Sequence, residues 1–326
     1  MTNPMPLPGP IIRTEGLART FKTRGGPVEA VRGVDLEIRA GEIFGFLGPN
    51  GAGKTTTLRM LATLLPPTGG SATVAGADLA REPQRVRERI GYVPQGGSTD
   101  PAATARAELV LQARLYGMNR RTAEARAAEL LELFDLESAA DRPLAGFSGG
   151  MRRRLDIGLG IVHRPSVLFL DEPTSGLDPQ ARARMWDEIS GLRRNGTTVF
   201  LTTHYLEEAD ALADRLAIID HGRIVAAGTS DELKRQVAGD VVTLGVDGPS
   251  QPVLDALRSQ PYVREASAED GVIRLYVERG DAAVPQLLRL LDGAGLATQS
   301  IALNRPSLDD VFLRQTGRSL RDEPAA

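Results

Sequence analysis

The sequence predicts an α/β protein whose strands alternate with helices around a parallel or mixed sheet, with an all-helical insert and a small α+β domain behind it. Three observations carry this. Short apolar runs such as Ile43 to Leu47 and Val167 to Leu170 are strand-sized and bounded by Gly, Asp or Pro. Helical patterns separate them, as a sheet with helices packed on its faces requires. Composition shifts near Gly239, after which strand and helix signals follow in the order βαββαβ.

Taken in order, Met1 to Pro10 is Pro-rich and polar, lacks an apolar core of signal-peptide length, and reads as a disordered tail. Ile11 to Phe21 and Val34 to Ile38 alternate as strands of a partly exposed sheet do. Ile43 to Leu47 is continuous and apolar, the mark of a strand buried on both faces. It leads through a Gly-rich turn into a helical pattern, Lys54 to Leu65, which Pro66-Pro67 stops. Tyr92-Val93-Pro94 ends another strand. From Ala102 to Phe134 the chain is Ala/Leu/Glu/Arg-rich at helical spacing, and Ser148 caps a helix running to about His163, so that residues 102–163 form the helical insert. Arg152 to Arg154 are expected on a solvated face of that helix, with His163 at its C-terminal end. Val167 to Leu170, Thr197 to Thr202 and Leu216 to Ile219 read as strands, Ala181 to Arg193 and Leu206 to Leu212 as helices, and His221 as a turn residue. These elements make a first domain over residues 11–238.

Beyond it, strand Val241 to Val246, helix Val253 to Ser259, strands Val263 to Ser267 and Val272 to Val277, helix Val284 to Leu291 and strand Ala297 to Leu303 give a ferredoxin-like arrangement. A last helix, Asp309 to Thr316, closes a second domain over 239–317, and 318–326 reads as a frayed tail.

The bulk properties narrow the function. At 326 residues the chain has room for about two domains, and 41% hydrophobic with 25% charged residues is ordinary for a protein with a packed core. A formal net charge of −3 supplies no global field to recruit nucleic acid. The absence of cysteine excludes disulfides, thiolate chemistry and a zinc ribbon. No run approaches the roughly 18–20 apolar residues of a spanning helix, so work at a membrane calls for a separate membrane polypeptide. Lys22, Lys54 and Lys234 are the lysines among 39 Lys+Arg, so a lysine inside a motif stands out.

Lys54 does so. Gly48-Pro49-Asn50-Gly51-Ala52-Gly53-Lys54-Thr55 fits G-x-x-x-x-G-K-[ST] after a buried strand and at the start of a helix. The glycines let successive backbone N–H groups point at phosphate oxygens, and the helix N-terminus adds partial positive charge. Lys54 is placed to reach the β/γ-phosphates, the Thr55 hydroxyl to ligate Mg²⁺, and Thr56 follows in the same turn. The apolar run Val167 to Leu170 ends in Asp171-Glu172, where the first carboxylate suits the metal and the second the attacking water. Phe147-Ser148-Gly149-Gly150-Met151 begins a helix with a Ser cap and two glycines, an anion site in miniature.

The series of phosphate loop, Gln95 after a strand, Ser-Gly-Gly, carboxylate strand, Ser175-Gly176-Leu177-Asp178 and His204 resembles the nucleotide-binding domain of ABC ATPases, over roughly Ile11 to Val237. Phe-Ser-Gly-Gly-Met-Arg-Arg-Arg-Leu (147–155), Thr-Thr-His-Tyr (202–205) and the tail Pro306-Ser307-Leu308-Asp309-Asp310-Val311-Phe312 look like the daunorubicin-resistance type of drug exporter ATPase. The resemblance implies a P-loop NTPase fold and an ATP-hydrolysing subunit of a bacterial exporter of drugs, antibiotics or other hydrophobic small molecules. It implies ATP and Mg²⁺ as ligands, a separate multi-spanning permease, a head-to-tail homodimer, and a place at the cytoplasmic face of the membrane.

By the same resemblance, Phe21 stacks on adenine, where family members often have Tyr. Gln95 touches magnesium or water and senses the membrane partner. Ser148, Gly149 and Gly150 contact the γ-phosphate held by the opposite subunit, and Asp178 helps join the two sites. His204 bonds the γ-phosphate and holds Glu172. Met151 departs from the family's commoner glutamine. A soluble ABC ATPase acting on ribosomes or DNA, usually with two such domains or with coiled coils, and an importer ATPase are the rival readings.

Overall fold

The computed structural model describes residues 9–97, 99–237, 239–246, 251–269, 272–293, 298–304 and 306–319. The two expected tails therefore lie almost wholly outside the described residues. The described residues divide into two compact units, one running to Thr229 and the other beginning at Ser230.

The first unit opens with a long antiparallel hairpin, β1 (Ile12–Thr23) and β2 (Gly26–Ile38). The buried strand β3 (Ile43–Leu47) follows, then α1 (Lys54–Leu61), β4 (Gly69–Val74), β5 (Ala77–Asp78), α2 (Pro83–Arg89) and β6 (Ile90–Val93). The insert is α3 (Ala105–Leu115), α4 (Arg120–Leu133) and α5 (Gly149–Gly160). Then come β7 (Val167–Asp171), α6 (Pro179–Arg194), β8 (Thr198–Thr203), α7 (Leu206–Leu212), β9 (Arg215–Asp220) and β10 (Arg223–Gly228). An antiparallel sheet runs β2-β1-β4-β5, and a six-stranded sheet runs β10-β9-β3-β8-β7-β6. In the latter β3 pairs in parallel with β8 and β9, β7 with β8 and β6, while β10 closes the edge antiparallel to β9.

Two cores result. One joins the hairpin sheet to α1 and to one face of the larger sheet, where Phe200 packs on Phe44, Phe46 and Phe169 with ring centroids 5.5–5.7 Å apart. The other joins the opposite face to α3, α4, α5 and α6 through Leu109, Leu130, Phe134 and Ile189. A strand between two apolar layers has no polar face, which is why β3, β7 and β8 are buried throughout.

The second unit is α8 (Ser230–Gln236), β11 (Asp240–Val246), α9 (Gln251–Arg258), β12 (Val263–Glu269), β13 (Val272–Val277), α10 (Gly280–Gly293), β14 (Thr298–Asn304) and α11 (Leu308–Thr316). Its antiparallel sheet, β12-β13-β11-β14, has the strand order of a ferredoxin-like fold. Leu244, Leu257, Leu275 and Leu287 fill its core. A capping box, Ser307 with Asp310, starts α11, and Tyr276 donates a hydroxyl bond to Asp310 at 3.0 Å.

Some elements end sooner than the sequence pattern suggests. The pattern Lys54 to Leu65 yields a helix only to Leu61, because Thr63 turns left-handed at φ 62° ahead of the prolines. The helix expected to reach His163 stops at Gly160. His221 sits in the β9–β10 turn at φ 44°, as expected.

Candidate nucleotide and catalytic site

The phosphate loop joins β3 to α1, and two of its glycines are sterically obligatory. A Cβ on Gly48 would stand 2.2 Å from the Ile219 carbonyl oxygen, and one on Gly53 2.5 Å from that of Ala30 with φ at +106°. Gly51, at φ +79°, has open space where a Cβ would point. The loop is thus pressed against β2 and β9 on one side and open on the other. Lys54 is buried and bends back to donate to the carbonyls of Gly48 (2.7 Å) and Pro49 (3.0 Å).

β7 delivers the two carboxylates beside it. Asp171 Oδ1 accepts from the Thr55 hydroxyl at 2.9 Å and the Thr202 hydroxyl at 2.7 Å, while Oδ2 is buried with no hydrogen-bond partner. A buried carboxylate oxygen left open beside a Thr hydroxyl fits a hard divalent cation. No group of three or more His, Asp and Glu gathers among the described residues, so such an ion would share its ligands with phosphate oxygens and water.

Glu172 is the meeting point. Its backbone takes the left-handed conformation, φ 47°, rare for a non-glycine residue, held by bonds from its N–H to the Thr202 carbonyl and hydroxyl at 3.2 and 3.1 Å. The side chain lies 3.5 Å from Lys54 Nζ, accepts from Gln95 Nε2 at 2.9 Å, and stands 3.2 Å from His204 Nδ1, off the line of an ideal hydrogen bond. Burial pushes its pKa up, but His204 and Lys54 outweigh that and hold the carboxyl below its ordinary range.

So Gly48 to Thr56, Asp171, Glu172, Gln95 and His204, far apart in sequence, come together. The Ser-Gly-Gly segment does not join them. Ser148 caps α5, accepting from Met151 N–H at 3.2 Å, and lines a separate cavity of about 260 Å³ with Gly149, Gly150, Leu177 and Asp178. Asp178 caps α6, accepting from Ala181 N–H at 2.8 Å. Phe21 is partly exposed on the hairpin under the Arg19 guanidinium, 4.8 Å from its ring centroid, rather than in a core.

One expectation fails. Arg152 is exposed, but Arg153 is 7% exposed and Arg154 half-buried, so the arginine run is not a solvated face. Arg153 donates to the carbonyls of Pro94 (2.6 Å), Asp171 (2.9 Å) and Pro173 (2.8 Å), tying the start of the Gln95 loop to both sides of Glu172. Its spacing from Ile157 and Gly160 puts it on the buried side of α5, the one signal the sequence offered. His163 does follow the helix end, but half-buried. It stacks on Tyr116 at 3.7 Å and its Nε2 faces the Ile90 carbonyl at 2.9 Å, and burial lowers its pKa, so it is no cationic cap. Thr202 and Glu208 also carry weight the sequence did not single out. Buried Glu208 accepts from Thr174 (2.7 Å) and Trp186 (3.3 Å), bracing the segment after Glu172.

A groove of about 290 Å³ opens where α3, α5 and β6 meet, lined by Tyr92, Glu108, Gln112, Tyr116 and Asp156 among others. A Cβ on Gly91 would stand 2.1 Å from the Gly160 carbonyl, so α5 and β6 touch backbone to backbone at its floor.

The comparisons agree with this geometry. A family model described as ABC transporter matches residues 31–175, and one described as ATP-binding protein DrrA1-3-like, C-terminal domain, matches 228–316. The chain is 44% identical to the daunorubicin resistance ATP-binding protein DrrA2 of Streptomyces coeruleorubidus, over 94% of this chain and 97% of that one. It is 36% identical to the linearmycin resistance ATP-binding protein LnrL of Bacillus subtilis (94% and 99% covered) and 39% identical to the Nod factor export ATP-binding protein I of Ralstonia nicotianae (96% and 96%). The solved ATP-binding cassette MJ0796, in a dimeric post-hydrolysis state bound to ADP and Pi, superposes at TM-score 0.62 with 25% identity, covering 67% of this chain and 98% of that one. Motif series, cassette fold and near full-length relatives converge: the chain belongs to the ATP-binding subunits of ABC transporters, is an ATPase, and carries the DrrA-type C-terminal domain.

Proposed function

We propose that this chain hydrolyses Mg-ATP at the cytoplasmic face of a membrane to drive a separate multi-spanning permease that exports drug- or antibiotic-like hydrophobic molecules. The working unit is a head-to-tail homodimer. The observation that carries the reading is the division of the site: a phosphate loop with both carboxylates in one place and a Ser-Gly-Gly cap lining another cavity. Each half is complete only against its counterpart in a second copy. The names of the relatives support export and drug resistance, and among the described residues no helix is long and apolar enough to cross a membrane.

In this reading Lys54 and the loop N–H groups bind the β/γ-phosphates, and Phe21 stacks on adenine. Thr55, Asp171 and Gln95 hold Mg²⁺, which when bound supplies charge neutralisation to the phosphate oxygens. Glu172 takes the proton of the attacking water, and His204 holds Glu172 and bonds the γ-phosphate. Ser148, Gly149 and Gly150 of the second copy cover that phosphate, and Asp178 joins the two sites. Only an interaction made with ATP and not with ADP shifts the pair toward closure. The groove of α3, α5 and β6 receives the permease. Its surroundings expose Leu64 and Tyr116, with Leu111 and Leu115 on α3, apolar surface that water alone does not favour.

The Glu172→Gln variant tests this. It binds Mg-ATP, becomes dimeric by light scattering, and turns over at least about 100-fold more slowly than the native chain. Native turnover, or a monomer at saturating Mg-ATP with and without the permease, would overturn the reading.

A further inference from the structure

We infer that the permease segment entering the groove carries a lysine or arginine side chain, and that Asp156 is its acceptor. This rests on the proposed permease-driving role and adds the chemistry of the contact.

Asp156 lies on α5 with 8% of its surface exposed and lines the groove. Among the described residues, no hydrogen bond or ion pair engages its carboxylate. Arg153, one turn earlier, is not available to it: Nε and both terminal nitrogens donate to the carbonyls of Pro173, Pro94 and Asp171. Arg152 is exposed. The carboxyl feels both arginines only through space, and burial still pushes it up to about 6. A carboxylate sunk this far with no hydrogen-bonded counter-group is costly, and a cation brought to it from outside removes the cost.

The other charged groups of the groove are less buried than Asp156, and each makes a bond of its own. Glu108 accepts from the Asp100 N–H at 3.2 Å, and Arg87 donates to the Thr63 hydroxyl at 3.2 Å. A bare metal ion is the wrong occupant, since one deep carboxylate is not a coordination set. Apolar Leu64 and Tyr116 at the rim and one acid at the floor instead fit an amphipathic segment bearing a single cation.

The position also says what the contact does. A Cβ on Gly97 would stand 3.3 Å from Asp156 Oδ2, so the loop that holds Gln95 rests on this carboxylate. Gln95 in turn donates to Glu172. A cation arriving at Asp156 therefore lands beside the loop that positions the base.

The test uses the full chain and inside-out vesicles from cells expressing a candidate multi-spanning permease, read by co-sedimentation. Asp156→Asn keeps the shape and removes the charge. It leaves the free chain's melting temperature and nucleotide binding unimpaired but weakens vesicle association roughly tenfold. Asp156→Arg abolishes association, and one Lys→Glu or Arg→Glu change in a cytoplasmic loop of the membrane protein restores it. Native-strength association by Asp156→Asn, or no restoring charge swap, overturns the inference while leaving the permease role intact. If the native chain itself fails to sediment with the vesicles, the permease role falls, and the inference with it.

Discussion

Lys54, Gln95 and His204 all face Glu172, and its pKa is the balance of His204 and Lys54 against burial. Because that pKa is held below the ordinary 4.5, the carboxylate is ionised and able to accept a proton at every pH above that value. The acid limb of kcat/KM, which reports the free chain, therefore lies below pH 4.5, and His204→Ala, which removes a lowering contact while burial persists, moves it upward. Paired pH–rate profiles check this, and coincident limbs would count against His204 as the holder of Glu172. Lys54→Ala weakens ATP binding about 10- to 100-fold by calorimetry, the worth of a charge-assisted contact. Arg153→Ala strands three carbonyls, costing about 3 kcal/mol of stability, and lowers kcat with little change in KM; Arg153→Lys recovers part of both. The phosphate loop was legible in the sequence because three glycines within six residues, followed by Lys54 and Thr55, dictate its backbone locally. Arg153 was not, because its partners, Pro94, Asp171 and Pro173, lie up to 59 positions away and only the fold assembles them.

At the scale of elements, α5 is a rod with a job at each end: Ser148 and its glycines at the start, Arg153 in the middle, Asp156 and Gly160 at the groove. The glycines at its start differ in kind from those of the phosphate loop. A Cβ on Gly149 meets nothing closer than 3.7 Å, whereas Gly48 has none to spare. Gly149→Ala therefore folds normally, melts as high as native or higher, and fails to dimerise with Mg-ATP in the Glu172→Gln background. Gly48→Ala loses nucleotide binding and stability together. On α6, burial pushes Glu188 up to about 7 despite Arg154 at 4.0 Å. A raised carboxyl pKa costs nothing below the unfolded value and its full price above the folded one, so the penalty grows between about pH 4.5 and 7. Glu188→Gln should stabilise the fold by up to about 3 kcal/mol at pH 8 and hardly at all at pH 4, by thermal melts.

At the scale of the molecule, the order of long elements was readable because the buried strands β3 and β7 have no polar face, and βαββαβ spacing implied the second sheet. The elements that escaped, β4, β5, β10, α2 and α8, are seven residues or shorter, and too little of each is buried to leave a periodic imprint. The separation of the Ser-Gly-Gly cap from the phosphate loop has a further consequence when two kinds of copy share one solution. A Lys54→Ala chain and a Ser148→Arg chain are each inert alone. In the proposed head-to-tail pair, once mixed, both faults fall on one nucleotide, and the other is embraced by an unblemished loop and an unblemished cap. Blending two dead preparations should thus revive hydrolysis, an arithmetic of alleles written into where one helix begins.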